Sequence, residues 1–71
     1  MKAAEFLRKV KRLGQARAVD VRLVPHRGKG SHGTLYYGPA RTVVQDLKRE
    51  LPTGTFHAMV KQLGLTVEDF R

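Results

Sequence analysis

The chain has 71 residues, no cysteine and a formal net charge of +8 at pH 7. This length predicts one domain, residues 1–71, with a single small core, and the lack of cysteine excludes a disulfide scaffold and thiolate chemistry. No apolar run has the length of a signal peptide or of a membrane span, so we expect a soluble, cytoplasmic protein without a membrane partner.

The positive charge is unevenly distributed along the chain. Residues 1–31 carry nine Lys or Arg against Glu5 and Asp20, whereas residues 32–71 carry five against four acidic residues. A basic excess confined to one half is typical of a surface that faces a polyanion. The alternative is that the charge serves only solubility.

The first predicted element is a helix over residues 2–17. Ala3, Phe6, Leu7, Val10 and Leu13 recur at the spacing of one helical face, and basic residues occupy the opposite face. We expect the apolar stripe to face the core, the alternative being a helix that lies on a membrane surface.

Three strands are predicted next, forming an antiparallel meander. Residues 19–26 alternate with a period of two, and Pro25 marks an edge strand or its end. Residues 34–37 and 41–44 give the second and third strands, with Gly38-Pro39 as the turn between them.

A second helix is predicted after an entry at Pro52-Thr53-Gly54, with Thr53 or Thr55 as its N-cap and Gly64 just after its end. Its apolar stripe consists of Phe56, Met59, Val60 and Leu63. After it, Thr66 and Asp69 have the spacing of a capping box and predict a final turn that buries Phe70. The predicted fold class is α+β in the order α-β-β-β-α, with two helices packed on one face of a three-stranded antiparallel sheet.

The glycines between the first two strands match the pattern G-x-G-x-x-G at Gly28, Gly30 and Gly33. A dinucleotide site requires a helix directly after these glycines, but residues 34–37 have the pattern of a strand. We therefore expect the glycines to let the hairpin turn with positive φ and to let a backbone approach closely, rather than to form a nucleotide-binding loop.

The same loop contains the candidate catalytic residue, His32. An imidazole titrates near neutrality and can move protons. Arg27 and Lys29 would attract a phosphate and stabilise developing negative charge, and Ser31 can orient a neighbour. The alternative is a solvated loop histidine without a role.

The remaining histidines and the tyrosines give weaker evidence of a functional role. We interpret His26 as structural or at most RNA-contacting, and His57 as packed or solvent-facing. The histidine spacing and the scattered carboxylates give no sign of a metal site. Tyr36 and Tyr37 should point to opposite faces of the sheet, one into the core and the other toward solvent, where it could stack on a base.

With these elements in order, the chain resembles the HicA family of toxins over residues 3–70. The resemblance rests on the opening helix with Phe6-Leu7-Arg8-Lys9-Val10, on Lys29-Gly30-Ser31-His32, and on the second helix with Lys61-Gln62-Leu63-Gly64-Leu65. Two features depart from the family: many members have a second histidine where this chain has Gly33, and residues 15–27 form a longer link.

The resemblance implies a fold like that of double-stranded-RNA-binding domains and cleavage of mRNA that arrests translation. It implies that His32 is the essential histidine and that a HicB-type antitoxin covers the His32 site. Because the carboxylates are scattered and the histidines lack metal spacing, we expect cleavage without a metal, and we expect no small-molecule cofactor.

The sequence therefore predicts a toxin that is a metal-independent endoribonuclease, with His32 as catalytic acid or base and single-stranded mRNA as substrate. The candidate RNA-binding residues are Arg27, Lys29, Gly30, Ser31, Arg41, Arg8, Arg12, Lys48 and Lys61. The first alternative is a non-catalytic RNA-binding module of the same fold. The second is a protein-interaction domain with an acidic partner.

Overall fold

The computed structural model describes residues 1–28 and 32–71 and confirms the α-β-β-β-α order. The helices and strands are α1 (Ala3–Arg17), β1 (Val21–Pro25), β2 (Gly33–Tyr37), β3 (Ala40–Val44) and α2 (Thr53–Gln62), followed by a 3₁₀ turn (Val67–Phe70). In these described ranges, no helix combines the length and the apolar character needed to cross a membrane.

The three strands form one antiparallel sheet in the order β1-β2-β3, so β1 and β3 are its edges. One face is covered: α1 contacts β1 and β2, and α2 contacts β3. Side chains alternate between the two faces of the sheet along each strand. The strand residues that do not face the helices therefore lie together on the second face. We call this second face the open face, and on the strands it consists of Arg22, Val24, Thr34, Tyr36, Arg41 and Val43.

The core lies between the covered face of the sheet and the two helices. Its centre is Phe6 of α1, which is fully buried. The Phe6 ring stacks on Phe70 with centroids 5.1 Å apart and meets the edge of Phe56 at 6.0 Å. Three aromatic rings therefore join α1, α2 and the final turn, and the predicted inward position of Phe70 is confirmed.

The start of β1 differs from the sequence-based prediction. Ala18 caps α1 in the left-handed region with φ of 57°, and the backbone N–H of Val19 donates to the carbonyl of Gly14 at 2.8 Å. Val19 takes part in this helix cap and therefore does not belong to β1. The strand begins at Val21 instead of Val19. Gly14 does not end the helix, which continues to Arg17.

The N-cap predicted for α2 was wrong. Pro52 occupies the N-cap position, and Thr53 is the first helical residue. A proline has no backbone N–H to leave unpaired there. The C-terminal predictions are confirmed, because Gly64 has φ of +72° just after the helix and Thr66 and Asp69 form the capping box.

Candidate functional site

His26 and His32 lie opposite each other, one residue pair beyond the end of the β1–β2 ladder. The last pair within the strands is Pro25 with Gly33. The backbone N–H of His26 then donates to the carbonyl of His32 at 2.9 Å, which continues the pairing. The Cα atoms of such a hydrogen-bonded pair are about 5.5 Å apart. Alternation along the strands assigns both histidines to the open face.

The ring of His26 is held by a second contact. Its Nε2 is hydrogen-bonded to Oγ1 of Thr34 at 2.8 Å, and the tautomer of the histidine decides which of them donates. Thr34 belongs to the open face, so this contact places the His26 ring there too. Both histidines are half-buried, which leaves part of each side chain accessible to a substrate.

Gly33 explains why the two strands can approach so closely beside His32. A Cβ at position 33 would lie 3.0 Å from both the Cδ1 of Leu23 and the carbonyl oxygen of Val24. Position 33 also belongs to the covered face of the sheet. A histidine at this position would therefore point away from His32, and the second histidine of many HicA proteins has no equivalent here.

A row of two arginines and a tyrosine crosses the open face of the sheet. Its tyrosine lies two residues after Thr34 in β2. Arg22, Tyr36 and Arg41 are direct partners in the register of the three strands. The Cζ of Arg22 lies 5.7 Å from the centroid of the Tyr36 ring, which is the geometry of a cation–π contact. Arg22 also forms an ion pair with Asp20 at 3.3 Å, but both side chains are exposed and the pair is weak.

A shallow depression adjoins this row on the β3 side. It is lined by Thr34, Tyr36, Arg41, Thr42, Val43 and Gln62. It combines an aromatic ring, a guanidinium group and hydroxyl and amide groups, which are the groups that contact the bases and phosphates of single-stranded RNA. The prediction that the tyrosines face opposite ways is confirmed, because Tyr37 is buried in the core and Tyr36 belongs to the open face.

The predicted RNA-binding residues fall into separate groups. Arg41 lies on the open face, and Arg27 is exposed in the turn directly after His26. Arg8, Arg12 and Lys61 are exposed on the helices, in the layer on the other side of the sheet. Lys48 is exposed between β3 and α2, where its backbone N–H donates to Asp46 Oδ1 at 3.0 Å.

The remaining predicted site residues, Lys29, Gly30 and Ser31, lie outside the described residues. His57, which was expected to be packed or solvent-facing, is exposed on α2 with its ring 5.7 Å from that of Phe56. Within residues 1–28 and 32–71, no three His, Asp or Glu side chains form a group that could hold a metal ion.

His26 was predicted to be structural or at most RNA-contacting, and its position opposite His32 was not predicted. The signal was the hairpin itself, because two strands of alternating pattern that flank a short glycine-rich loop must pair residue for residue. Choosing the pairing, however, requires the loop length to be known within one residue, since a shift of one residue moves a side chain to the other face.

No family model, no curated protein and no solved structure matches this chain. The resemblance to HicA toxins therefore stays a prediction that rests on the residues quoted above.

Proposed function

We propose that this chain is the toxin component of a toxin–antitoxin pair and cleaves single-stranded mRNA without a metal ion, with His32 as a proton carrier. The observation that carries the proposal is the position of His32 beside His26 on a face that also bears Arg41 and Tyr36. RNA supplies its own nucleophile, so the protein needs to bind the phosphate and move protons.

The proposed reaction is an internal transesterification. The 2′-hydroxyl loses its proton to a base as its oxygen bonds to the adjacent phosphorus, and the bond from phosphorus to the 5′-oxygen breaks as that oxygen gains a proton. The products are a 2′,3′-cyclic phosphate and a 5′-hydroxyl. Arg27 and Arg41 would bind phosphates and offset the charge of the pentacoordinate intermediate.

The open face is the proposed path of the RNA. Arg22 and Arg41 flank the Tyr36 ring and would contact phosphates while a base stacks on the tyrosine. The net charge of +8 supports an electrostatic attraction of this kind. Arg8, Arg12 and Lys61 on the helices would then add long-range attraction rather than contacts to the cleaved phosphate.

An acidic antitoxin of HicB type is the proposed protein partner and would cover His32. The open face offers it two exposed valines, Val24 at 43% and Val43 at 51% exposure, between the histidine pair and the arginine row. An apolar contact ringed by cations suits a partner with an apolar centre and acidic rim. The proposal places both proteins in the cytoplasm, where mRNA is translated.

The test is cleavage of an end-labelled single-stranded RNA by the purified protein in the presence of EDTA. We expect products with 2′,3′-cyclic phosphate and 5′-hydroxyl ends, and no cleavage when the RNA carries 2′-O-methyl groups. His32→Ala should lower the rate by about 10²–10⁴-fold. His57→Ala is the matched control and should leave the rate unchanged, because His57 is exposed on α2.

A non-catalytic RNA-binding module is the second candidate, and the Arg22–Tyr36–Arg41 row favours it independently of the histidines. Such a module would bind the same RNA without cutting it. Wild-type protein that binds RNA but leaves it intact over a long incubation would replace the nuclease proposal with this one. Protein that neither binds nor cuts RNA would overturn both.

A further inference from the structure

The proposed cleavage needs a second proton carrier, and no local sequence pattern indicates one. In-line transesterification requires a base at the 2′-oxygen and an acid at the 5′-oxygen of the same phosphate. Both groups must reach their oxygens at about 2.6–3.2 Å. A partner for His32 must therefore lie beside it and on the same face of the sheet.

We propose that His26 is the general acid that protonates the leaving 5′-oxygen, while His32 is the base that accepts the proton of the 2′-hydroxyl. This inference rests on the proposed nuclease function. His26 lies directly opposite His32 across the ladder, with its backbone N–H on the His32 carbonyl at 2.9 Å. Cβ atoms of directly opposite residues are about 4.5–5.5 Å apart, so two imidazoles starting from these positions can flank one phosphate.

Thr34 orients the ring of His26 for a role as the acid. A protonated imidazole donates from both ring nitrogens. With the Nε2–H directed to Oγ1 of Thr34 at 2.8 Å, the Nδ1–H is left for the leaving oxygen. The contact also fixes the ring, so the proton does not have to be positioned during the reaction. Thr34 acts through His26 and is a positioning residue.

Cationic side chains surround the histidine pair and would bind the phosphate on which the pair acts. The charged or titratable side chains next to His26 in the chain and in the register are Arg27 and His32, with Arg22 and Arg41 farther along the open face. Arg27 follows His26 directly and would draw the phosphate to it.

The test compares two RNA substrates that differ at one atom. In the first, the leaving atom is the natural 5′-oxygen. In the second, a sulfur replaces this bridging oxygen. A thiolate is a far weaker base than an alkoxide, so sulfur leaves without being protonated and the reaction no longer needs an acid. Rates are measured in EDTA for wild type, His26→Ala, His26→Gln and His32→Ala.

We expect both His26 variants to cleave the oxygen substrate about 10²–10⁴-fold more slowly than wild type and to cleave the sulfur substrate within about threefold of wild type. His32→Ala should be impaired on both substrates. Thr34→Val, which keeps the shape but removes the hydroxyl, should slow cleavage of the oxygen substrate alone, and by less than His26→Ala. His57→Ala should match wild type on both substrates.

Other outcomes separate this inference from the proposed function. If His26→Ala cleaves the oxygen substrate at the wild-type rate while His32→Ala does not, the inference is overturned and the nuclease proposal stands. Rescue of His32→Ala by the sulfur substrate would reverse the two roles and also overturn it. Circular dichroism shows whether each variant is folded. His26→Gln, which keeps a hydrogen-bonding group toward Thr34, decides the matter if the alanine variant unfolds.

Discussion

Arg17 at the end of α1 and Asp69 in the final 3₁₀ turn form an ion pair at 2.5 Å between residues 52 positions apart. Asp69 also accepts the backbone N–H of Thr66 at 2.9 Å in the capping box. The Arg17 guanidinium, and after it the Thr66 N–H, hold the pKa of the Asp69 carboxyl below its usual value of about 3.8. One carboxylate therefore fastens the C-terminal turn, with Phe70, to the first helix.

The first prediction concerns the pH dependence of this contact. Because the pKa of Asp69 is lowered in the folded state, the carboxylate stabilises the fold above the ordinary value of about 3.8, and the contribution disappears as the pH falls through the lower, folded value. We expect Asp69→Asn to have a lower Tm than wild type at pH 7, with the difference shrinking below pH 3.8. Thermal melts followed by circular dichroism give the Tm of both proteins at each pH.

Glu68→Gln is the matched control for Asp69→Asn. Glu68 forms an ion pair with Arg71 in which both side chains are largely exposed, and such pairs contribute little. Its Tm should stay close to wild type at every pH. A Tm difference for Asp69→Asn that persists in strong acid would show that the contact acts through packing rather than through the charge of the carboxylate.

The second prediction concerns Gly14, which lies inside α1 and faces Val21 at the start of β1. A Cβ at this position would lie 2.3 Å from Cγ2 of Val21 and 2.8 Å from the carbonyl oxygen of Val19. Gly14→Ala should therefore lower the free energy of unfolding by about 1–3 kcal/mol, even though alanine is the better helix former by about 1 kcal/mol. Urea denaturation gives the value directly.

Gly54→Ala is the control that separates sterics from helix propensity. Gly54 lies in the first turn of α2, and a Cβ there would meet nothing within 4 Å. This substitution should raise the free energy of unfolding by up to about 1 kcal/mol. If both alanine variants were stabilised, the close approach of α1 and β1 would be excluded as the reason for Gly14.

Local patterns in the sequence predicted most of the fold, because each pattern expresses a single physical constraint. The spacing of Phe6, Leu7 and Val10 indicated a helical face, and the four residues from Thr66 to Asp69 indicated a cap. Both were confirmed. The role of Gly14 was not predictable, because its cause is Val21, seven residues away in a different element.

The candidate site shows the same contrast between local sequence patterns and contacts that join different elements. The glycine-rich run pointed to His32 because glycines, cations and a histidine are close in sequence. His26 became part of the site only through the register of two strands, and no local pattern specifies a register. The basic residues show that residues of the same type can lie in different layers of the fold. Arg8 lies on α1, whereas Arg41 lies on the open face of the sheet.

The third prediction concerns the hydroxyl of Tyr37, which is buried and forms no hydrogen bond of ordinary geometry with the residues that the structure describes. The guanidinium of Arg17 lies near it, and both Asp69 and this hydroxyl raise the pKa of Arg17. A buried hydroxyl with no partner at all costs about 1–3 kcal/mol, and the nearby Arg17 guanidinium offsets part of that cost. We expect Tyr37→Phe to raise the free energy of unfolding by up to that amount, as measured in urea.

Tyr36→Phe removes the same atom from the open face and is the control. Because Tyr36 is only half-buried, its hydroxyl can bond to water, and the free energy of unfolding should change by less than about 0.5 kcal/mol. Equal effects of the two substitutions would mean that burial of the Tyr37 hydroxyl carries no penalty, for instance because a water molecule satisfies it.

The last prediction tests which layer of the fold binds RNA, with His32→Ala protein used throughout so that no RNA is cut. Tyr36→Ala should weaken binding of a short single-stranded RNA by about 1–3 kcal/mol, the range for loss of one stacked base, whereas Tyr36→Phe keeps the ring and should bind like the parent.

Arg41→Ala should weaken binding and lower the slope of log K against log salt by about 0.7, the value for one phosphate contact in a single strand. Arg12→Ala removes the same charge from the helix layer and is the matched control. If Arg12→Ala lowers both affinity and slope while Arg41→Ala changes neither, RNA binds to the helices and the open face is not its path.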